Sequence, residues 1–223
     1  MHQRKSKRIL TYLLLLTTVG SINNIYLNDF KFDLINTINI SGLNEVENEI
    51  LKQEIESSDL KSIFSLKENK IRSIIEKNTL IENYKIFKKY PSTLDIRVKE
   101  TNLLAKINKN GKIYLIGSNG KLTLIDNGYS ELPYIFGKPD IKEFLQFKKI
   151  IDKSKFSYNQ IKNLYFFPSK RWDLKLNNNI LLKLPNNLTQ ENLNNLYEFL
   201  GKYNEKHLKT VDARLENKII LNE

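Results

Sequence analysis

The chain has 223 residues, 40% of them hydrophobic and 27% charged, with a formal net charge of +11 and no cysteine. That length accommodates one or two modest domains with their own cores, and the missing thiols exclude disulfides and cysteine chemistry. The positive charge does not mark a nucleic-acid groove, because the lysines are spread along the chain and Arg4, Lys5, Lys7 and Arg8 crowd its first residues.

The basic stretch MHQRKSKR leads into ILTYLLLLTTVGSINNIYL, Ile9–Leu27, which carries no charge. As a helix those residues reach ~28 Å, close to the hydrocarbon thickness of a bilayer. The pattern predicts a single transmembrane helix over 9–27. Arg4, Lys5, Lys7 and Arg8 then hold residues 1–8 in the cytoplasm and the rest of the chain lies outside it. A cleaved signal peptide competes with this reading, since Ile9–Val19 is short and Thr18-Val19-Gly20 fits a cleavage site. In both cases residues 28–223 are exported, and no nucleic acid is expected as a partner.

After a linker at 28–33, residues 34–100 read as a small β-α-α-β-β module. Phe32, Leu34, Ile38 and Ile40 alternate with polar residues up to Ser41-Gly42. Asn44, followed by Glu47, starts a helix with Val46, Ile50, Leu51 and Ile55 on one face. Ser65 and Glu68 have capping-box spacing before Ile71, Ile74 and Ile75. Two strands follow. Tyr84, Ile86 and Tyr90 lead to Pro91, and Leu94, Ile96 and Val98 come after the turn. Tyr90 and Pro91 mark the sheet edge that the module could offer to a partner strand.

Residues 101–223 predict a larger, mainly antiparallel β-rich domain with helices, so the whole is α+β. Asn110-Gly111, Asn119-Gly120 and Asn127-Gly128 separate short apolar runs as hairpin turns do. Residues 139–152 and 189–203 read as helices, and Ile161–Phe167, Val211–Leu215 and Lys218–Asn222 as strands. In KRWDLKLNNNILLKLP, residues 170–185, Trp172 shares a face with Leu174 and Leu176, and the asparagines turn the chain without glycine. Trp172 is therefore expected to wall the core rather than serve as a ligand platform. Residues 218–222 are expected to leave an outer edge open to a partner.

No catalytic constellation emerges. Beyond the tail the sole histidine is His207, beside Lys206 and Lys209. Without cysteine, transition-metal sites lack ligands. There is no phosphate-binding glycine loop and no nucleophile elbow. A carboxylate pair stays open, but the acids fall among lysines, where solvated charge is the default. No catalytic, cofactor-binding or metal site is expected.

Seven segments in order carry a resemblance. INTINISGLNEVENEIL and FSLKENKIRSIIEKN are similar to the first strand and helices of a POTRA module, and FKKYPSTLDIRVKE to its strand–aromatic–proline–strand segment. NGKIYLIGSNGKL with LPYIFG, then KRWDLKLNNNILLKLP, then VDARLENKIIL follow as in the FtsQ family of bitopic cell-division proteins, called DivIB in Gram-positive bacteria. The resemblance departs at Asn178 or Asn179, where the hairpin usually has glycine, and at Ala213, where a larger aliphatic is common. It implies a non-enzymatic scaffold of the septal machinery, in the bacterial inner membrane with its bulk in the periplasm. The implied partners are FtsB and FtsL, and through them the peptidoglycan synthase FtsW–FtsI. It also implies that a strand of FtsB adds to the open edge, so that Leu215, Lys218, Ile219, Ile220, Leu221 and Asn222 contact it. Arg214 and Lys170 would pair with its acids, with Arg171 replacing Lys170 if the register differs by one. A POTRA protein of outer-membrane assembly or secretion and a periplasmic cell-wall enzyme are the alternatives.

Overall fold

Two separate hydrophobic cores organise the chain, one under a three-stranded sheet and one under a nine-stranded sheet. The computed structural model describes residues 2–22, 34–58, 60–124, 131–202, 208–215 and 218–222. Helix α1 spans His2–Ile22. Its uncharged part begins at Ile9, and among the described residues no helix is long and apolar enough to cross a membrane. The far end of the expected span, Asn23–Leu27, lies outside the described residues, as do His207 and the Asn127-Gly128 turn.

The first module runs β1 (Thr37–Ser41), α2 (Glu45–Glu56), α3 (Glu68–Lys77), β2 (Ile81–Lys89) and β3 (Thr93–Glu100). Asn44 caps α2 as its spacing predicts, its side-chain oxygen accepting the Glu47 amide at 2.9 Å. The capping box expected at Ser65 does not form. The Ser65 hydroxyl and amide both bond the Ser62 carbonyl, and α3 starts at Glu68 after an uncapped Lys67. Local turn chemistry took the serine before the helix could. Leu51 and Ile55 of α2 and Ile71 and Ile75 of α3 are fully buried against Leu94 and Ile96 of the central strand. The order β1-β3-β2 makes β1 parallel to β3, and β2 antiparallel to it. Gly42 closes β1 at φ +116°, where a Cβ would lie 1.8 Å from the Val98 carbonyl oxygen, so only glycine fits.

Tyr90 and Pro91 are not edge residues. Strand β2 ends at Lys89, and the two residues form a cis-linked turn before β3. Proline cannot extend the ladder, so the sheet's edges are β1 and β2 themselves.

The larger sheet contains β4 (Leu103–Lys109), β5 (Lys112–Gly117), β6 (Leu122–Thr123), β7 (Tyr134–Phe136), β8 (Ile161–Phe166), β9 (Trp172–Leu176), β10 (Leu181–Lys183), β11 (Thr210–Leu215) and β12 (Lys218–Asn222). Its order is β12-β11-β10-β9-β8-β7-β4-β5-β6. The sheet is mainly antiparallel, as expected, but mixed: β4–β7, β7–β8 and β10–β11 pair in parallel. Helices α4 (Ile141–Lys153) and α5 (Gln190–Lys202) supply two of those crossovers, and parallel neighbours require such connections. Phe144, Phe147 and Ile151 of α4 and Leu193, Leu196 and Leu200 of α5 lie on the inner face with Trp172, Leu174 and Leu182. Trp172 is buried and stacks on Phe147, ring centroids 4.5 Å apart, as a core residue should.

A polar joint connects the two sheets. The Asn119 side chain donates to the Thr79 and Ile81 carbonyls at 2.9 and 3.0 Å, and the Lys121 ammonium donates to those of Glu76 and Asn78 at the end of α3. The Glu82 carboxylate accepts the hydroxyls of Thr101 and Ser118. A cation on the last carbonyls of a helix is favourable there. Asn119→Ala leaves two carbonyls without their donor and is expected to cost about 1–3 kcal/mol. Urea unfolding followed by circular dichroism measures it. A change below about 0.5 kcal/mol would show that the joint does not couple the sheets.

Candidate partner-binding edge and groove

Strand β12 pairs with β11 on one side and ends the sheet on the other. Its burial alternates. Ile219 and Leu221 pack on the core side, while Ile220, opposite Asp212, is 55% exposed on the other face. A terminal strand with a row of unpaired backbone groups is a template for another strand unless it is short or charged. Here Lys218 supplies the charge and five residues supply a length that a partner strand can match.

The register carries a charged row to that edge. Asp173 on β9 faces Lys183 on β10, Lys183 faces Asp212 on β11, and Asp212 faces Ile220 on β12. These residues alternate with the buried Leu174, Leu182 and Val211, so they share the sheet face away from the helices. Two arginines close over the row. The Arg171 Nε donates to Asp173 Oδ1 at 3.1 Å and its second nitrogen to Oδ2 at 3.3 Å, while the guanidinium sits 4.2 Å from the centroid of the Phe167 ring. Asp173 is almost wholly buried and also accepts the Leu184 amide at 3.2 Å. The Arg214 Nε lies 2.8 Å from Asp212 Oδ1, with another of its nitrogens 2.6 Å from Oδ2. The Arg214 hydrogen bond holds the Asp212 carboxyl below the usual carboxylate range. A depressed carboxylate contributes above its unfolded pKa and loses that contribution as pH falls through the folded one. The pair therefore persists through neutral and mildly acid pH. A carboxyl NMR titration is expected to show Asp212 protonating below the exposed aspartates.

Beside the edge opens a groove of about 660 Å³ between α5 and the β11–β12 hairpin, lined by Arg171, Arg214, Leu215, Lys218 and Ile219 together with Asn192 and Asn195. Leu215 is 57% exposed at its mouth. A β-bulge between Asp212 and Leu215 turns the strand end outward, which strict alternation along β11 does not anticipate. Three cations, an apolar side chain and amide groups together suit an acidic amphipathic segment.

The structure separates the expected site residues. Arg171, Arg214, Leu215, Lys218 and Ile219 meet at the groove, and Ile220, Leu221 and Asn222 continue along the edge. Lys170 does not join them. It sits in the turn before β9 with φ +63°, and its ammonium lies 3.0 Å from Glu143 of α4. Lys170 lies in the turn before the alternation of β9 begins and meets α4, while Arg171 pairs with Asp173 and lines the groove. Asn192 and Asn195 were missed because polar positions on α5 read as ordinary solvent-facing helix. The position of Leu196 on the buried stripe is the one signal that could have placed their face beside the strands.

Comparison with known proteins follows the same division. Residues 34–101 match the family model described as POTRA domain, FtsQ-type, and residues 98–214 that of cell division protein FtsQ/DivIB, C-terminal. The chain is 26% identical over 203 residues to cell division protein FtsQ of Rickettsia felis, covering 87% of this chain and 74% of that one. It is 23% identical to FtsQ of Rhizobium meliloti, covering 82% of this chain and 61% of that one. Cell division protein DivIB of Clostridium acetobutylicum is 36% identical over 102 residues, covering 44% of this chain and 41% of that one. Neither match is to a barrel-assembly protein or to a cell-wall enzyme, the two alternatives that the sequence left open. With both its modules matched in order, this chain belongs to the FtsQ/DivIB family of non-enzymatic cell-division proteins.

Proposed function

We propose that this protein is a divisome scaffold of the bacterial inner membrane that binds FtsB along β12 and, with FtsL, helps control septal peptidoglycan synthesis by FtsW–FtsI. The observation that carries the reading is the juxtaposition of an edge strand, paired on one side only among the described residues, with Arg171, Arg214 and Lys218. Backbone hydrogen bonds along β12 supply affinity, Ile220 and Leu215 supply apolar contact, and the cations select an acidic strand. Depleting the protein is expected to give filamentous, undivided cells. The purified full chain is expected to capture an FtsB segment, and a chain that captures neither FtsB nor FtsL would sink the reading.

Residues 9–27 serve as an uncleaved anchor, with residues 1–8 in the cytoplasm and the two folded modules in the periplasm at the septum. Arg4, Lys5, Lys7 and Arg8 before an uncharged stretch support that orientation. Mass spectrometry of the membrane-bound protein is expected to find the N-terminus intact. A mature terminus near Ser21 would mean that a signal peptidase had removed the segment.

The POTRA module takes a second partner strand on β2, beyond whose end Tyr90 and Pro91 form the turn. β2 lies at the edge of its sheet, and its nine residues give a partner strand a length to match, which favours this over a mere spacer. Deleting residues 34–100 behind the anchor is expected to abolish septal recruitment, whereas unchanged recruitment would leave the module as a spacer.

A further inference from the structure

Three segments converge at one end of the POTRA module, where three apolar side chains are each more than half exposed. Leu34 bridges Ser62, and the Asn36 and Thr37 amides both donate to the Ser92 carbonyl, which draws the entering chain against the β2–β3 turn. Phe64 and Tyr90 meet there with ring centroids 4.8 Å apart. Leu34 is 64% exposed, Phe64 53% and Tyr90 62%, although the module has a complete core without them. Lys61 stands exposed beside this cluster, and Lys88 and Lys89 precede Tyr90. Cations outnumber the acids they pair with: Asp95 is shared by the Lys89 ammonium at 2.7 Å and the Arg97 guanidinium, and Glu68 by the Lys88 ammonium and the Arg72 guanidinium, so the surroundings keep a positive excess.

We propose that Leu34, Phe64 and Tyr90 seat this end of the module in the headgroup layer of an anionic phospholipid bilayer. The inference rests on the anchor reading above. Position argues for a bilayer. Leu34 is where the chain from α1 enters the module, and the connection from Ile22 can span at most about 40 Å even when fully extended. The chemistry argues the same way. An aliphatic side chain, a phenylalanine, an amphipathic tyrosine and flanking lysines are what an interfacial surface combines, because rings and stems enter the acyl boundary while charges meet phosphate. Seating the module there would aim it along the membrane rather than let it swing on its tether.

The absence of cysteine makes the test clean. The full chain is reconstituted into vesicles containing about 30% anionic phospholipid and a headgroup nitroxide quencher. A fluorophore is attached at Asn36→Cys beside the cluster, or at the exposed Lys112→Cys in the distant β4–β5 hairpin. Asn36→Cys is expected to be quenched at least about threefold more strongly than Lys112→Cys, and Phe64→Ser/Tyr90→Ser to remove most of that difference. Circular dichroism of the double variant checks that the module remains folded. Retention of the protein through an alkaline wash reports the anchor separately. Protein retained but quenched equally with and without Phe64 and Tyr90 overturns the proposal and leaves the anchor standing. Cross-linking of two copies through the cluster in place of quenching also overturns it. Protein released by the wash overturns both.

Discussion

Trp172→Ala is expected to destabilise the larger domain by about 3–5 kcal/mol. The ring stacks on Phe147 of α4 at 4.5 Å and 11°, and lies 4.8 Å from Phe166 of β8 and 6.3 Å from Phe144. It is 7% exposed, so truncation removes both the buried area and the surface that joins helix to sheet. The neighbouring aromatic rings are held by their own helix and strand and cannot collapse fully into the space. A loss of that size is a large fraction of the 5–15 kcal/mol typical of a whole domain. Urea denaturation followed by circular dichroism is the measurement, since the variant has no tryptophan to report fluorescence. Trp172→Phe keeps part of the stack and is expected to lose roughly half as much. If Trp172→Ala costs less than about 1 kcal/mol, the tryptophan is not a structural wall and a ligand-facing role returns.

If the proposed edge takes a strand of FtsB, Arg214→Glu is expected to weaken that capture by about 2 kcal/mol or more, roughly thirtyfold. The substituted carboxylate would face Asp212, which now holds the Arg214 guanidinium, and would present a negative charge to an acidic partner. Lys170→Glu serves as the control, with an expected effect below about 0.5 kcal/mol because that ammonium pairs with Glu143 away from the groove. Arg171→Glu is a poor probe of binding. It would leave two carboxylates together with Asp173 buried, and unfolding would mask any effect on the partner. Prolines at Ile219 and Ile220 test the edge itself. Successive amides of a strand point in opposite directions, so one proline removes a ladder bond to β11 and the other a bond offered outward. One variant is expected to melt earlier, and the other to fold normally yet lose capture. If Arg214→Glu and the normally folded proline variant both bind with unchanged affinity, the β12 edge is not the docking site.

Periodicity alone determined much of this protein. Leu94, Ile96 and Val98 alternate onto one face, and Ile71 and Ile75 fall on one stripe, because burial selects residues at the repeat of the element that holds them. Asn44 as a cap, Asn110-Gly111 as a turn and Trp172 as core were legible for the same reason: each depends on its own few residues. Ser65 was misread because two local bonding patterns competed for one hydroxyl, and spacing does not rank them. The candidate site was half legible. Strand alternation anticipates Asp212 and Arg214 on the side away from the core, where the two now pair, and β12 lies at the sheet edge. The choice of Arg171 over Lys170 depended on where the alternation of β9 begins, and the exposure of Leu215 on a bulge. The groove joins α5 to β11 and β12, and the charged row Asp173–Lys183–Asp212 joins three strands that register brought together. No local pattern encodes such a meeting, because pairing between distant strands is decided by how the whole sheet buries its inner face.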